Sequence, residues 1–188
     1  MPSIPALQSQ LGRGAFLLAV LGVLVAVLLV VRALRRRGHD PVATILAGAA
    51  LTVAVGAALW LTLRPVAAGA AVRTLHLDPI EGAWGWDSIA WNPVIDNVAL
   101  FVPIGALAVA WAWRRSPLLV WLACVVLSAT IETVQYLLPL GRVANAADLL
   151  ANAVGAALGV LLAMALGVRQ RAVAPPARAS RAGRQHVS

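Results

Sequence analysis

The chain reads as an all-α protein: a polytopic transmembrane helical bundle of about five spans, N-terminus out and C-terminus in. Three observations carry that reading. Of its 188 residues 61% are hydrophobic and 12% charged, and the mean hydropathy is +0.86, well above a soluble domain. Five apolar runs approach or exceed the ~20 residues that cross a bilayer as a helix. The 15 basic residues are all arginine and gather at the ends of those runs without interleaved aromatics. The net charge of +8 therefore points to orientation in a membrane and excludes a nucleic-acid partner. One cysteine, Cys124, lies inside an apolar run and reads as a packing residue; it allows no internal disulfide and no cysteine-based metal site.

Residues 1–13 form a mildly polar leader. The first span, Gly14 to Val31, is followed by the basic cluster Arg32, Arg35, Arg36 and Arg37. A signal peptide has the opposite order, so this helix is expected to be retained, its C-terminal end cytoplasmic. Asp40-Pro41 opens the second span, about Val42 to Leu63, because proline fits a first helical turn. Gly48, Thr52 and Gly56 recur every four residues there, a ridge expected to admit another helix closely. These two accessory helices occupy 14–63.

Residues 64–92 form an external connection with Asp78, Glu81 and Asp87. Its Trp84, Trp86 and Trp91 suit a membrane interface. His76 reads as an interfacial loop residue, having no second histidine at ligand spacing. The third span is expected from Pro93 to Trp113, with Asp96 and Asn97 in its first turn and a break at Pro103 and Gly105. Pro117 opens the fourth, which ends near Leu138-Pro139, and the fifth runs from Ala146 to Val168. Residues 93–168 make a three-helix core, and 169–188 a disordered basic cytoplasmic tail. Eleven arginines fall on the cytoplasmic side of this topology and four outside.

The segment Ser128 to Gly159 concentrates the polar residues. A charge near the bilayer centre costs about 2.5–3.5 kcal/mol, so such residues face the bundle interior. At helical spacing Ser128, Glu132 and Gln135 share one face, and Asp148, Asn152, Gly155 and Gly159 share one face of the next helix. Arg142 lies in the connection between them. With Asp96 and Asn97, these groups converge at one level of the outer leaflet. Each has a plain alternative. Asp148 suits a helix N-terminus capped by Asn145, Arg142 an interfacial anchor, and Gln135 and Asn152 interhelical glue. Glu132 resists such readings best, since a buried acid needs a partner, for which Arg142 is the candidate.

The stretch NVALFVPIGAL (Asn97 to Leu107), then Ser128, Glu132 and Gln135 as S-x-x-x-E-x-x-Q, then Gly141-Arg142 and D-L-L-A-N-x-x-G (Asp148 to Gly155), resembles the VanZ-like family of bacterial membrane proteins. The match covers roughly Pro93 to Gly159, about a third of the chain; the first two spans and the tail lie outside it. The family is named for a protein linked to teicoplanin resistance. The positions that fit its motif are Asn97, Phe101, Pro103, Gly105, Glu132, Gln135, Arg142, Asp148, Asn152 and Gly155. Family members often carry more acids between the arginine and the aspartate, where this chain has Val143, Ala144, Asn145, Ala146 and Ala147. That departure weakens a metal or two-carboxylate mechanism.

These readings place a multi-pass protein in the bacterial cell membrane, with a ligand site of Asp96, Asn97, Glu132, Gln135, Arg142, Asp148 and Asn152. Phe101, Pro103, Gly105, Gly155 and Gly159 form its structural frame. The expected partner is a membrane lipid or cell-wall precursor lipid, its polar or anionic headgroup gripped by Arg142 at the outer leaflet, with an effect on glycopeptide (teicoplanin) tolerance. No cofactor or metal is expected, and oligomerisation is left open. Two rival functions stand beside this one: an enzyme with Glu132 as general base, and a lipid transporter or flippase built on a broken third helix.

Overall fold

Each of the five apolar runs forms a helix in the computed structural model of the chain, which describes residues 4–63, 75–76, 91–138 and 144–168. The helices are α1 (Ile4–Arg36), α2 (Asp40–Leu63), α3 (Trp91–Trp111), α4 (Pro117–Leu137) and α5 (Ala146–Ala165). All five are long and apolar enough to cross a membrane. Their outward faces carry large apolar side chains: Leu18 and Val30 on α1, Ile45 and Trp60 on α2, Leu118 on α4, Leu161 on α5. Such a surface is a liability in water and is at home in hydrocarbon. The chain is a multi-pass membrane protein.

The helix boundaries follow local chemistry. Gly38 ends α1 and Gly167 follows α5, both with positive φ, at 78° and 62°, the left-handed cap that glycine adopts most easily. Pro117 opens α4 behind the N-cap Ser116, and Asn145 caps α5 by accepting from the Ala147 amide at 2.9 Å.

The closest-packed pair is α3 with α5, which run parallel. Glycines permit the approach: a Cβ on Gly105 would lie 2.9 Å from Ala156 Cα, and one on Gly159 would lie 2.7 Å from Ala106 N. Around this pair α2 packs on α3, α4 on α5, and α1 against α2 and α3. Phe101, fully buried, anchors one core cluster with Ala58, Ile104, Cys124, Ile131 and Ala156.

At one end of the bundle, arginines tie helices together. Arg35, only 3% exposed, donates to the carbonyls of Ala110 and Val168, the latter at 2.9 Å. Arg32 donates to the Leu166 carbonyl at 2.8 Å. The acceptors lie at the C-terminal ends of α3 and α5, where orphan carbonyls and the dipole both favour a cation. Arg35 and Arg114 both approach the Trp113 ring, at 5.0 and 4.8 Å from its centroid. These arginines were read as orientation signals alone; two of them are also structural braces.

At the other end, β1 (Leu75–His76) pairs in parallel with β2 (Ala144–Asn145). The sequence reading had no strands, and two-residue strands leave no periodicity to detect.

Four further expectations change. Residues 4–13 of the leader are helical and belong to α1. Helix α3 starts at Trp91 rather than Pro93, which puts Asp96 and Asn97 in its second turn. Pro103 and Gly105 do not break α3, which runs continuously through both; Gly105 marks the contact with α5. The Gly48–Thr52–Gly56 ridge does not admit a helix. Thr52 is exposed and Gly56 faces open space, while Gly48 meets the Trp111 ring. The packed stripe of α2 is Ala43, Ala47, Ala58 and Thr62. The tail 169–188, the tryptophans at 84 and 86, and Arg142 lie outside the described residues.

Candidate functional site

Helices α4 and α5 are antiparallel, so residues one turn apart on each meet in pairs. Ser128 and Glu132 are one turn apart on α4, Asp148 and Asn152 one turn apart on α5. Ser128 meets Asn152, whose Nδ2 donates to Ser128 Oγ at 2.9 Å in the bundle interior. One turn nearer the β-paired end, Glu132 comes level with Asp148. The half-buried Glu132 carboxylate accepts from the Asn145 amide at 3.3 Å through Oε2.

The same level is tied to α3 and α2. Asn97 Nδ2 donates to Asp148 Oδ1 at 2.7 Å, a short bond of the kind an ionised acceptor gives. Gln135 Nε2 donates to the Thr62 carbonyl at 2.9 Å, satisfying an orphan group in the last turn of α2. The Thr62 hydroxyl in turn donates to the Ala58 carbonyl at 2.7 Å. Three helix pairs are thus each joined by an amide side chain.

These bonds border a cleft of about 930 Å³. Its polar end carries Asp96, Asn97, Glu132, Gln135, Asp148 and Asn152. Its wall is apolar and comes from α1, α2 and α3, including Phe16, Val20, Leu24, Val53, Ala57 and Leu100. Along α3 the lining extends from Asp96 to Leu107. At 1.5 Å per residue that is roughly 16 Å, about half the ~30 Å hydrocarbon thickness. The cleft therefore has the depth of a single leaflet.

Every expected ligand-site residue among those described lines this cleft; Arg142 lies outside the described residues, and with it the expected pairing to Glu132. Phe101 is buried in the core beneath the polar level, Pro103 lines the cleft, and Gly105, Gly155 and Gly159 hold α3 against α5. The reading missed the α1 wall and Thr62. It also missed Trp121, whose Nε1 donates to the Ala153 carbonyl at 3.0 Å and ties α4 to α5. No spacing along the chain distinguishes these from lipid-facing residues. Among the described residues, no three of His, Cys, Asp and Glu gather closely enough to hold a metal ion.

A family model described as VanZ/LLP1 matches residues 51–167, from the middle of α2 to the end of α5. The matched region is wider than the motif and takes in part of the second span. No curated protein and no solved structure matches the chain significantly.

Proposed function

Since the chain belongs to the VanZ/LLP1 family of multi-span membrane proteins, we propose that it binds an amphiphile of the cell envelope, headgroup at the polar end of the cleft and hydrocarbon along the apolar wall. The observation that supports this best is the pairing of one polar end with an apolar groove one leaflet deep. Lipid held this way loses little hydrophobic burial, while the headgroup gains hydrogen bonds in surroundings poor in water. The arginine distribution favours the outer leaflet for the polar end, because Arg32, Arg35, Arg36, Arg37, Arg114 and Arg115 lie at the opposite one. If the amphiphile is a cell-wall precursor lipid, altered tolerance to glycopeptides such as teicoplanin follows from its sequestration. The flippase reading loses the broken helix it needed, because α3 is continuous.

The test is lipid analysis of the purified protein. Ala57 lines the cleft and is exposed in it without making a polar contact of its own, so Ala57→Trp should fill the groove and strip co-purifying lipid from a protein that still folds. The same lipids at the same stoichiometry in that variant would overturn the proposal.

A further inference from the structure

The hydrogen bonds at the polar end leave one buried atom over. Asn152 is 2% exposed; its Nδ2 is bonded to Ser128, and its Oδ1 is buried with no partner among the described residues. An unpaired buried acceptor costs about 1–3 kcal/mol, so one that persists calls for a missing donor. One turn nearer the end of the bundle, the Glu132 carboxylate accepts a single backbone bond. Asn152 and Glu132 both line the cleft.

Glu132 is the carboxylate of the cleft that this single backbone bond leaves open to a guest. The amide nitrogens of Asn97, Gln135 and Asn152 are each engaged by protein acceptors. What Glu132 and Asn152 offer a guest is a carboxylate and an unpaired amide oxygen.

We infer that the headgroup carries a primary ammonium, with its N–H donors shared between the Glu132 carboxylate and Asn152 Oδ1. This rests on the amphiphile reading above and specifies its chemistry. An ammonium brings three donors and one positive charge, matching both deficits. At low effective dielectric the Glu132 carboxylate repels an anion and attracts a cation strongly. A quaternary ammonium keeps the charge but has no N–H, and a diol keeps donors but has no charge, so the two contributions separate experimentally.

The experiment is native mass spectrometry of the full chain in non-ionic detergent. The probes are acyl-matched phosphatidylethanolamine, phosphatidylcholine and phosphatidylglycerol. The expected result is saturable binding of the ethanolamine lipid about tenfold tighter than the other two, equivalent to about 1.4 kcal/mol. Glu132→Gln and Asn152→Leu should each weaken phosphatidylethanolamine most and so reduce that preference to within about twofold. Should either variant fail to fold, the headgroup ranking of the wild-type protein decides. Equal saturable binding of all three lipids overturns the ammonium inference and leaves the cleft reading standing. No saturable binding of any lipid overturns both.

Discussion

Gly155→Ala is the smallest change that should loosen the bundle. A Cβ at this position would lie 3.0 Å from Val98 Cα and overlap the Val98 carbonyl oxygen. Both obstacles are backbone, so no side-chain rotation relieves them, and α3 and α5 must part by about 1 Å. Val98 adjoins Asn97, whose 2.7 Å bond to Asp148 then stretches past the ~3.2 Å limit of a good hydrogen bond. Overpacking costs about 1–3 kcal/mol, and a lost bond to a charged acceptor about 1.5–3 kcal/mol. Both act on one interface and do not add fully, so the expected destabilisation is about 2–4 kcal/mol. Gly56→Ala is the control. Nothing lies within 4 Å of its added carbon, so it should be neutral or gain up to ~1 kcal/mol of helix propensity. The assay is reversible unfolding in mixed micelles followed by circular dichroism. Equal midpoints for Gly155→Ala and Gly56→Ala would refute the argument.

Arg35→Leu should cost about 1.5–3 kcal/mol by releasing the Ala110 and Val168 carbonyls; Arg35→Lys should recover only part, since one ammonium cannot span two acceptors as a fork does. The same unfolding assay reads both, and a wild-type midpoint for Arg35→Leu would sink the brace. A reporter fused after Ser188 should be cytoplasmic and one inserted near Glu81 external; labelling of both from one side would reject the five-span topology. If Arg142 grips the headgroup phosphate, Arg142→Lys should weaken phosphatidylethanolamine, phosphatidylcholine and phosphatidylglycerol alike, because an ammonium does not reproduce a bidentate grip. An unchanged affinity for all three would remove Arg142 from the site.

The parts legible in the sequence were those set by local composition. Apolar length located five helices, and helical spacing put Ser128, Glu132 and Gln135 on one face, Asp148 and Asn152 on another, and marked Gly155 and Gly159 as contact points. The cap at Asn145 was legible because capping acts over two residues. What failed depended on partners distant in sequence. Arg35 reaches carbonyls 75 and 133 residues away, and counting charges by loop cannot reveal that. Pro103 and Gly105 looked like a break because both disfavour an isolated helix; inside the bundle, Gly105 is the place where α5 comes closest. On α2 two small-residue stripes compete, and the alanine stripe packs inward while the Gly48–Gly56 stripe largely does not.

Whether the polar cluster is glue or a site turns on one residue. Ser128–Asn152, Asn97–Asp148 and Gln135–Thr62 each join two helices, and structural support accounts for all three bonds. It does not account for Glu132. An acid within a span costs about 2.5–3.5 kcal/mol, and a single 3.3 Å bond from the Asn145 amide is a poor return for it. Replacing it with an apolar residue of similar volume removes that cost and gives up only the one weak bond. Glu132→Leu should therefore leave the unfolding midpoint unchanged or raise it by up to about 1–2 kcal/mol, while lipid binding per folded molecule collapses. Stability and binding measured on the same preparation decide between the readings. If Glu132→Leu destabilises the bundle and binding falls only in proportion to the folded fraction, Glu132 is structural and the headgroup site loses its principal member.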